Sequence, residues 1–131
     1  MPYTPLSPTS VLLVGMDFDL AATLQQILAG EGHQVSYEGR GASATLRNFQ
    51  APGTPDIICC GTRRRAYQRV IEQVRLSGKT VPVVVVSGKQ ETAEWLDALE
   101  AGASDYFAQP FDSGHICWVI ESALKAAGAP N

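Results

Sequence analysis

Long apolar runs are missing from this 131-residue sequence. Nothing in it approaches the ~20 apolar residues that a membrane-spanning helix needs. Basic charge is also scarce. Ten Lys and Arg stand against thirteen Asp and Glu, a formal net charge of -3, which gives no whole-domain positive field for nucleic acid. There are three cysteines, with Cys59 and Cys60 adjacent and Cys117 apart. An odd count at that spacing is neither a disulfide framework nor a zinc site, and it reads as reduced, buried thiols. No G-x-G-x-x-G follows the first apolar run and no G-x-x-x-x-G-K-[ST] occurs anywhere, so nucleotide binding by those routes is unsupported. Residues 1–10 hold three prolines and no basic, apolar signal pattern. These absences suggest a cytoplasmic protein.

What is present is enough apolar residue for one core: 45% of the chain, with 18% charged. That balance and length describe one globular domain. Residues 1–10 are expected to be a flexible, proline-containing tail, because prolines every third residue build neither a helix nor a central strand. The folded domain is expected over 11–127, with 128–131 a frayed end or the start of a linker. Within 11–127 two kinds of segment alternate. Val11-Leu12-Leu13-Val14, Asp56-Ile57-Ile58-Cys59-Cys60 and the β-branched run from Val81 to Val86 read as buried strands. Gln34 to Tyr37 and Asp105 to Ala108 are shorter and more polar. Helical spacing links Leu20, Leu24, Ile27 and Leu28, then Tyr67, Val70, Ile71 and Val74, and then Ile116, Val119, Ile120, Ala123 and Leu124. Trp95, Leu96 and Leu99 belong to a further helix, and residues 42–49 to a weak one. Five strand–helix pairs imply an α/β domain, a parallel sheet with helices on both faces. The fully apolar strands belong at the centre and the polar ones at the edges, which gives the flavodoxin-like (βα)5 order 2-1-3-4-5.

In such a sheet the ligand crevice lies beyond the carboxyl ends of the strands, near the switch between strands one and three. The residues expected there are Gly15, Met16 and Asp17, then Gly61 and Thr62, then Ser87 and Gly88, then Gln109 and Pro110. They are poor in chemistry. Magnesium asks for hard oxygen ligands, and only Asp17 offers a carboxylate. A hydroxyl nucleophile needs a base beside it, and Ser87 has none. His33 opens the second strand at the far edge. His115, at the start of the last helix, lies on the correct side, but it brings no orienting acid or oxyanion pattern. No catalytic residue, metal or cofactor is expected, and an enzyme is not.

Several segments resemble response-regulator receiver domains: Val11-Leu12-Leu13-Val14, Pro55-Asp56-Ile57-Ile58, Val81-Pro82-Val83-Val84-Val85-Val86-Ser87, Glu100-Ala101-Gly102-Ala103-Ser104-Asp105-Tyr106 and Gln109-Pro110-Phe111-Asp112. The resemblance runs from about Val11 to Lys125 and is most specific over Ala101 to Asp112. It implies a magnesium site after strand one, an aspartate ending strand three that accepts a phosphoryl group, and a Ser/Thr and a Lys that contact that group. It also implies an aromatic on strand five that acts as a switch. Carried over by position, the acidic pair becomes Gly15 and Met16, with Asp17 as a third acidic residue. The acceptor becomes Gly61, and the lysine becomes Gln109. Ser87 and Tyr106 are kept, as is Pro110, preceded in the family by a cis peptide. The resemblance therefore implies a pseudo-receiver, a phosphorylation-independent module of a two-component-type system acting through protein–protein contacts. Its partner face would lie across the penultimate helix, the fifth strand and the last helix, with Trp95, Tyr106 and Trp118 meeting a protein partner or a second copy. Membrane contact and direct nucleic-acid binding by this domain are not expected. An alternative is anion or nucleotide sensing by Arg63, Arg64 and Arg65, in the loop after Gly61, where arginine forks suit phosphate.

Overall fold

A computed structural model describes residues 9–38, 55–89 and 91–127, with Arg64 described in its main chain only. Of the tail expected over residues 1–10, residues 1–8 lie outside the described residues and Ser10 opens the first strand; the helix expected over 42–49 and the end at 128–131 also lie outside the described residues. Among the described residues, nine elements follow one another: β1 (Ser10–Val14), α1 (Phe18–Gly30), β2 (Gln34–Glu38), β3 (Ile57–Cys60), α2 (Arg64–Ser77), β4 (Val83–Ser87), α3 (Thr92–Ala101), β5 (Asp105–Ala108) and α4 (Ser113–Ala126). All neighbouring strands pair in parallel, in the order β2-β1-β3-β4-β5.

Burial explains that order. β3 and β4 are buried along their whole length and β1 along all but Ser10, so these strands need cover on both faces. β2 has no buried residue, and β5 is buried only at its middle pair. Alternate side chains then feed two cores. Val11, Leu13, Ile57, Cys59, Val84, Val86 and Phe107 pack against Leu24 and Leu28 of α1 and Ile116, Val119 and Ile120 of α4. Leu12, Val14, Ile58, Cys60, Val83, Val85 and Tyr106 pack against Tyr67, Val70 and Val74 of α2 and Ala98 of α3.

The helix ends follow local chemistry. Gly78 and Gly102 close α2 and α3 in the left-handed region that glycine enters freely. Asp112 caps α4 by accepting from the Gly114 N–H. Asp17 stands at the N-cap of α1, yet its side chain makes no capping hydrogen bond. The arginines expected in a loop after Gly61 are placed differently. Arg63 is the N-cap of α2, and Arg64, Arg65 and Arg69 already lie within the helix. Arginine is a good helix former.

Candidate functional site

At the carboxyl ends of the strands a cavity of about 490 Å³ opens between the turns after β1, β3 and β5. Its walls include Gly15, Met16, Asp17, Asp19, Gly61, Arg63 and Gln109. The structure thus brings five of the six residues carried over from the phosphorylation pocket, all but Ser87, to one place.

Two glycines fix the floor of this crevice. Gly15 has a φ of +67°, a backbone setting that side chains rarely tolerate. That setting sends the Gly15 main chain against Gly61. A Cβ built at Gly61 would overlap the Gly15 carbonyl oxygen and lie 3.0 Å from Met16 Cα. The Gly61 N–H donates to the Val14 carbonyl at 3.1 Å, which ties the two turns together. The Tyr37 hydroxyl donates to the Met16 carbonyl at 3.0 Å and braces the same loop from β2. The space in which a side chain at position 61 would begin is occupied by backbone.

The resemblance to receivers implies a magnesium ion at this crevice, and the residues present do not fit one. Met16 is buried among apolar neighbours. Asp17 and Asp19 are the carboxylates of the wall, and both face solvent. Among the described residues no group of three or more His, Cys, Asp or Glu stands together to hold a metal. Asp56 is at the other end of β3, where its carboxylate accepts from the Ser10 N–H at 2.8 Å.

Ser87 turns away from the crevice. It is buried on the α3 side of the sheet, 2.9 Å from Glu94 Oε1 and 2.6 Å from the Lys89 carbonyl oxygen. The Tyr106 hydroxyl reaches the same two acceptors at 3.1 and 3.3 Å. Tyr106 is therefore an inward residue, and burial raises its phenol pKa above the ordinary value. Trp95 and Trp118 are exposed, at 42% and 61%, and Leu96 and Leu99 beside Trp95 are exposed too. His115 stacks on Trp118 with ring centroids 6.4 Å apart, so it is engaged separately from Ser87. Gln109 precedes a cis peptide to Pro110. Sequence reasoning missed Glu94; its place in the first turn of a helix that follows strand four was the available signal.

Burial pushes the Cys59 and Cys60 thiols up to about 12 and raises Cys117 as well, so none is a ready nucleophile. His33 is lowered by partial burial, which favours the neutral ring. Arg63, Arg65 and Arg69 line a second, shallower concavity of about 550 Å³ with Glu72.

No family model matches the chain. The transcriptional regulatory protein PrrA of Mycobacterium leprae is 32% identical over 128 residues, which cover 96% of this chain and 54% of that protein. The sensory transduction protein RegX3 of Mycolicibacterium smegmatis is 31% identical over 125 residues, 94% of this chain and 53% of that one. The crystal structure of a CheY-like response regulator receiver domain protein from Methanospirillum hungatei JF-1 superposes with a TM-score of 0.71, at 18% identity, over 93% of this chain and 98% of that one. The chain is thus similar in sequence to these regulatory proteins and in fold to a response-regulator receiver domain. The chain spans about half the length of the curated relatives it matches. The flavodoxin-like receiver fold is shared down to strand order. By their names the matched relatives are a transcriptional regulatory protein and a sensory transduction protein. No helix among the described residues is long and apolar enough to cross a membrane.

Proposed function

We propose that this chain is a pseudo-receiver, a signalling module that works by protein–protein contact without accepting a phosphoryl group. One observation carries the reading: residue 61, at the acceptor's place, is a glycine whose missing side chain is replaced in space by the Gly15 and Met16 main chain. A phosphoryl group there would have no carboxylate to bond to. Among the described residues it would also find no clustered ligands for the metal that must neutralise it. Gln109, in the lysine's place, carries no charge. What the module still offers is a surface. Trp95 stands exposed with Leu96 and Leu99 on α3, and Trp118 is exposed on α4. Exposed tryptophans of this kind are the residue type most often found anchoring interfaces.

The test is amide NMR with magnesium, then with magnesium and beryllofluoride, a mimic of aspartyl phosphate. Unchanged signals at Gly15, Gly61 and Ser87 are expected; saturable shifts there would overturn the reading. For the surface, Trp95→Ala should keep the fold and weaken association with a protein partner or a second copy. Association that survives intact in sedimentation and pull-down experiments would remove Trp95 from the interface.

A second reading, anion or nucleotide sensing, is favoured by Arg63, which lines both the crevice and the neighbouring concavity with Arg65 and Arg69. Calorimetry with cyclic dinucleotides and nucleoside phosphates tests it, and flat heats throughout would dismiss it.

A further inference from the structure

Ser87, Tyr106 and α3 are joined by a carboxylate. The Ser87 and Tyr106 hydroxyls each carry one proton, and both lie within hydrogen-bond reach of Glu94 Oε1 and the Lys89 carbonyl oxygen. The Lys89 N–H in turn donates to Ser87 Oγ at 3.2 Å. Two donors and two acceptors are thus satisfied as a closed set in a half-buried site. Hydrogen bonds to an ionised group are the stronger kind there.

α3 buries few of its own side chains. Ala98 is its one buried residue among those described, whereas α4 buries Ile116, Val119, Ile120 and Ala123. The α3 N-cap, Glu91, makes no side-chain capping bond. The Lys89–Glu91 ion pair beside it is well exposed and contributes little. A helix that buries one residue leans on a polar anchor more than one that buries four. Glu94 and Trp95 are consecutive on that helix, the first reaching inward to the sheet and the second exposed.

We propose that Glu94 is a built-in acceptor that holds the Ser87–Tyr106 pair, and with it α3, in one setting, so that the Trp95 surface is presented without any phosphoryl group. This rests on the pseudo-receiver reading above and adds its regulation. The carboxylate works from the helix side of the sheet, where a phosphorylated receiver would draw on a group in the crevice. Glu94 is a positioning residue. What it supplies is a charged acceptor within reach of both hydroxyls and one fixed helix.

The experiment compares Glu94→Ala, Glu94→Gln, Tyr106→Phe and the double variant Glu94→Ala/Tyr106→Phe, all in a Trp118→Phe background so that Trp95 is the sole tryptophan reporter. Amide hydrogen exchange over α3 and Trp95 emission are the readouts. Glu94→Ala should speed exchange in α3 by about tenfold or more, the size expected for losing hydrogen bonds to a charged group, and should shift Trp95 emission. Glu94→Gln, which keeps one acceptor oxygen, should fall between. Adding Tyr106→Phe to Glu94→Ala should change little, because the charged acceptor is already gone and only the longer reach to the Lys89 carbonyl remains. Native-like exchange and emission in Glu94→Ala would overturn the proposal, as would fully additive effects in the double variant. If Glu94→Ala does not fold, Glu94→Gln with and without Tyr106→Phe makes the same comparison. Beryllofluoride shifts at Gly61 would overturn the pseudo-receiver reading instead, and they would leave the Glu94 coupling to be judged on its own result.

Discussion

Restoring the missing aspartate by Gly61→Asp should damage the protein rather than revive it. The first atom added, Cβ, overlaps the Gly15 carbonyl oxygen and sits 3.0 Å from both the Gly15 carbonyl carbon and Met16 Cα. These are main-chain atoms, so no rotamer change relieves the contact. Relief requires the loop after β1 to move. That would strain the Gly61 N–H bond to the Val14 carbonyl and the Tyr37 hydroxyl's bond to the Met16 carbonyl. Overpacking of this kind costs about 1–3 kcal/mol, and one weakened hydrogen bond adds about 1 kcal/mol. For a domain of this size the sum corresponds to a fall in Tm of roughly 10 °C. Gly61→Ala should show most of that fall, because the penalty begins at Cβ. Gly61→Asp should show at least as much, since its carboxylate also faces the Gly15 carbonyl oxygen. Thermal melts followed by circular dichroism measure both. Incubation with acetyl phosphate and magnesium, read by intact mass, should leave Gly61→Asp unmodified. A Gly61→Ala variant that melts with the native protein would refute the packing argument. So would a folded Gly61→Asp that takes up a phosphoryl group.

Two further expectations follow from the same loop and core. Tyr37→Phe removes the hydroxyl that braces the Met16 carbonyl and should cost about 1 kcal/mol in denaturant unfolding; equal midpoints would show that water replaces it without loss. Burial holds the Cys59 and Cys60 thiols near 12, above their ordinary value of 9.0, so the unfolded chain gives up those protons first. Above about pH 9 the folded state holds more protons than the unfolded one, and stability should fall as pH rises toward 12. Urea midpoints from neutral to alkaline pH should show that slope, and Cys59→Ala with Cys60→Ala should flatten it; equal slopes would refute the assignment.

Sheet order was readable because it depends on which strands are apolar on both pleats. Val11 to Val14, Ile57 to Cys60 and Val83 to Val86 carry that signal in their own composition, and it placed β2 and β5 at the edges. Val81 and Pro82 were read into β4, but the ladder starts at Val83 and the Pro82 carbonyl accepts from Ile58 instead. The place of the crevice was readable too, since seven of the nine residues expected there, all but Ser87 and Pro110, share one cavity. The arginine segment was misread as a loop because charge runs resemble solvated turns; helix propensity, which arginine has in good measure, decided otherwise. Ser87 was expected at the crevice because its chain position follows the strand end. Its direction depends on the pleat, and the pleat sets it with Val83 and Val85 against α3.

Glu94 and the Gly15–Gly61 contact escaped the sequence for one shared reason: each is a through-space relation between groups far apart in the chain. A glycine at 61 read alone says only that a carboxylate is missing. Next to Gly15 at φ +67°, it says that the vacated volume is filled by backbone. That distinction matters for the mechanism. An open pocket would leave Ser87 and Tyr106 without a local charge to respond to, and their hydroxyls would need water. Here both hydroxyls already meet a carboxylate from α3. The charge that a phosphorylated receiver would carry in its crevice has a counterpart on the opposite side of the same strand ends, on the helix that bears Trp95. Under the reading proposed above, the part of the fold that would answer to phosphorylation is held instead by the chain's own side chain.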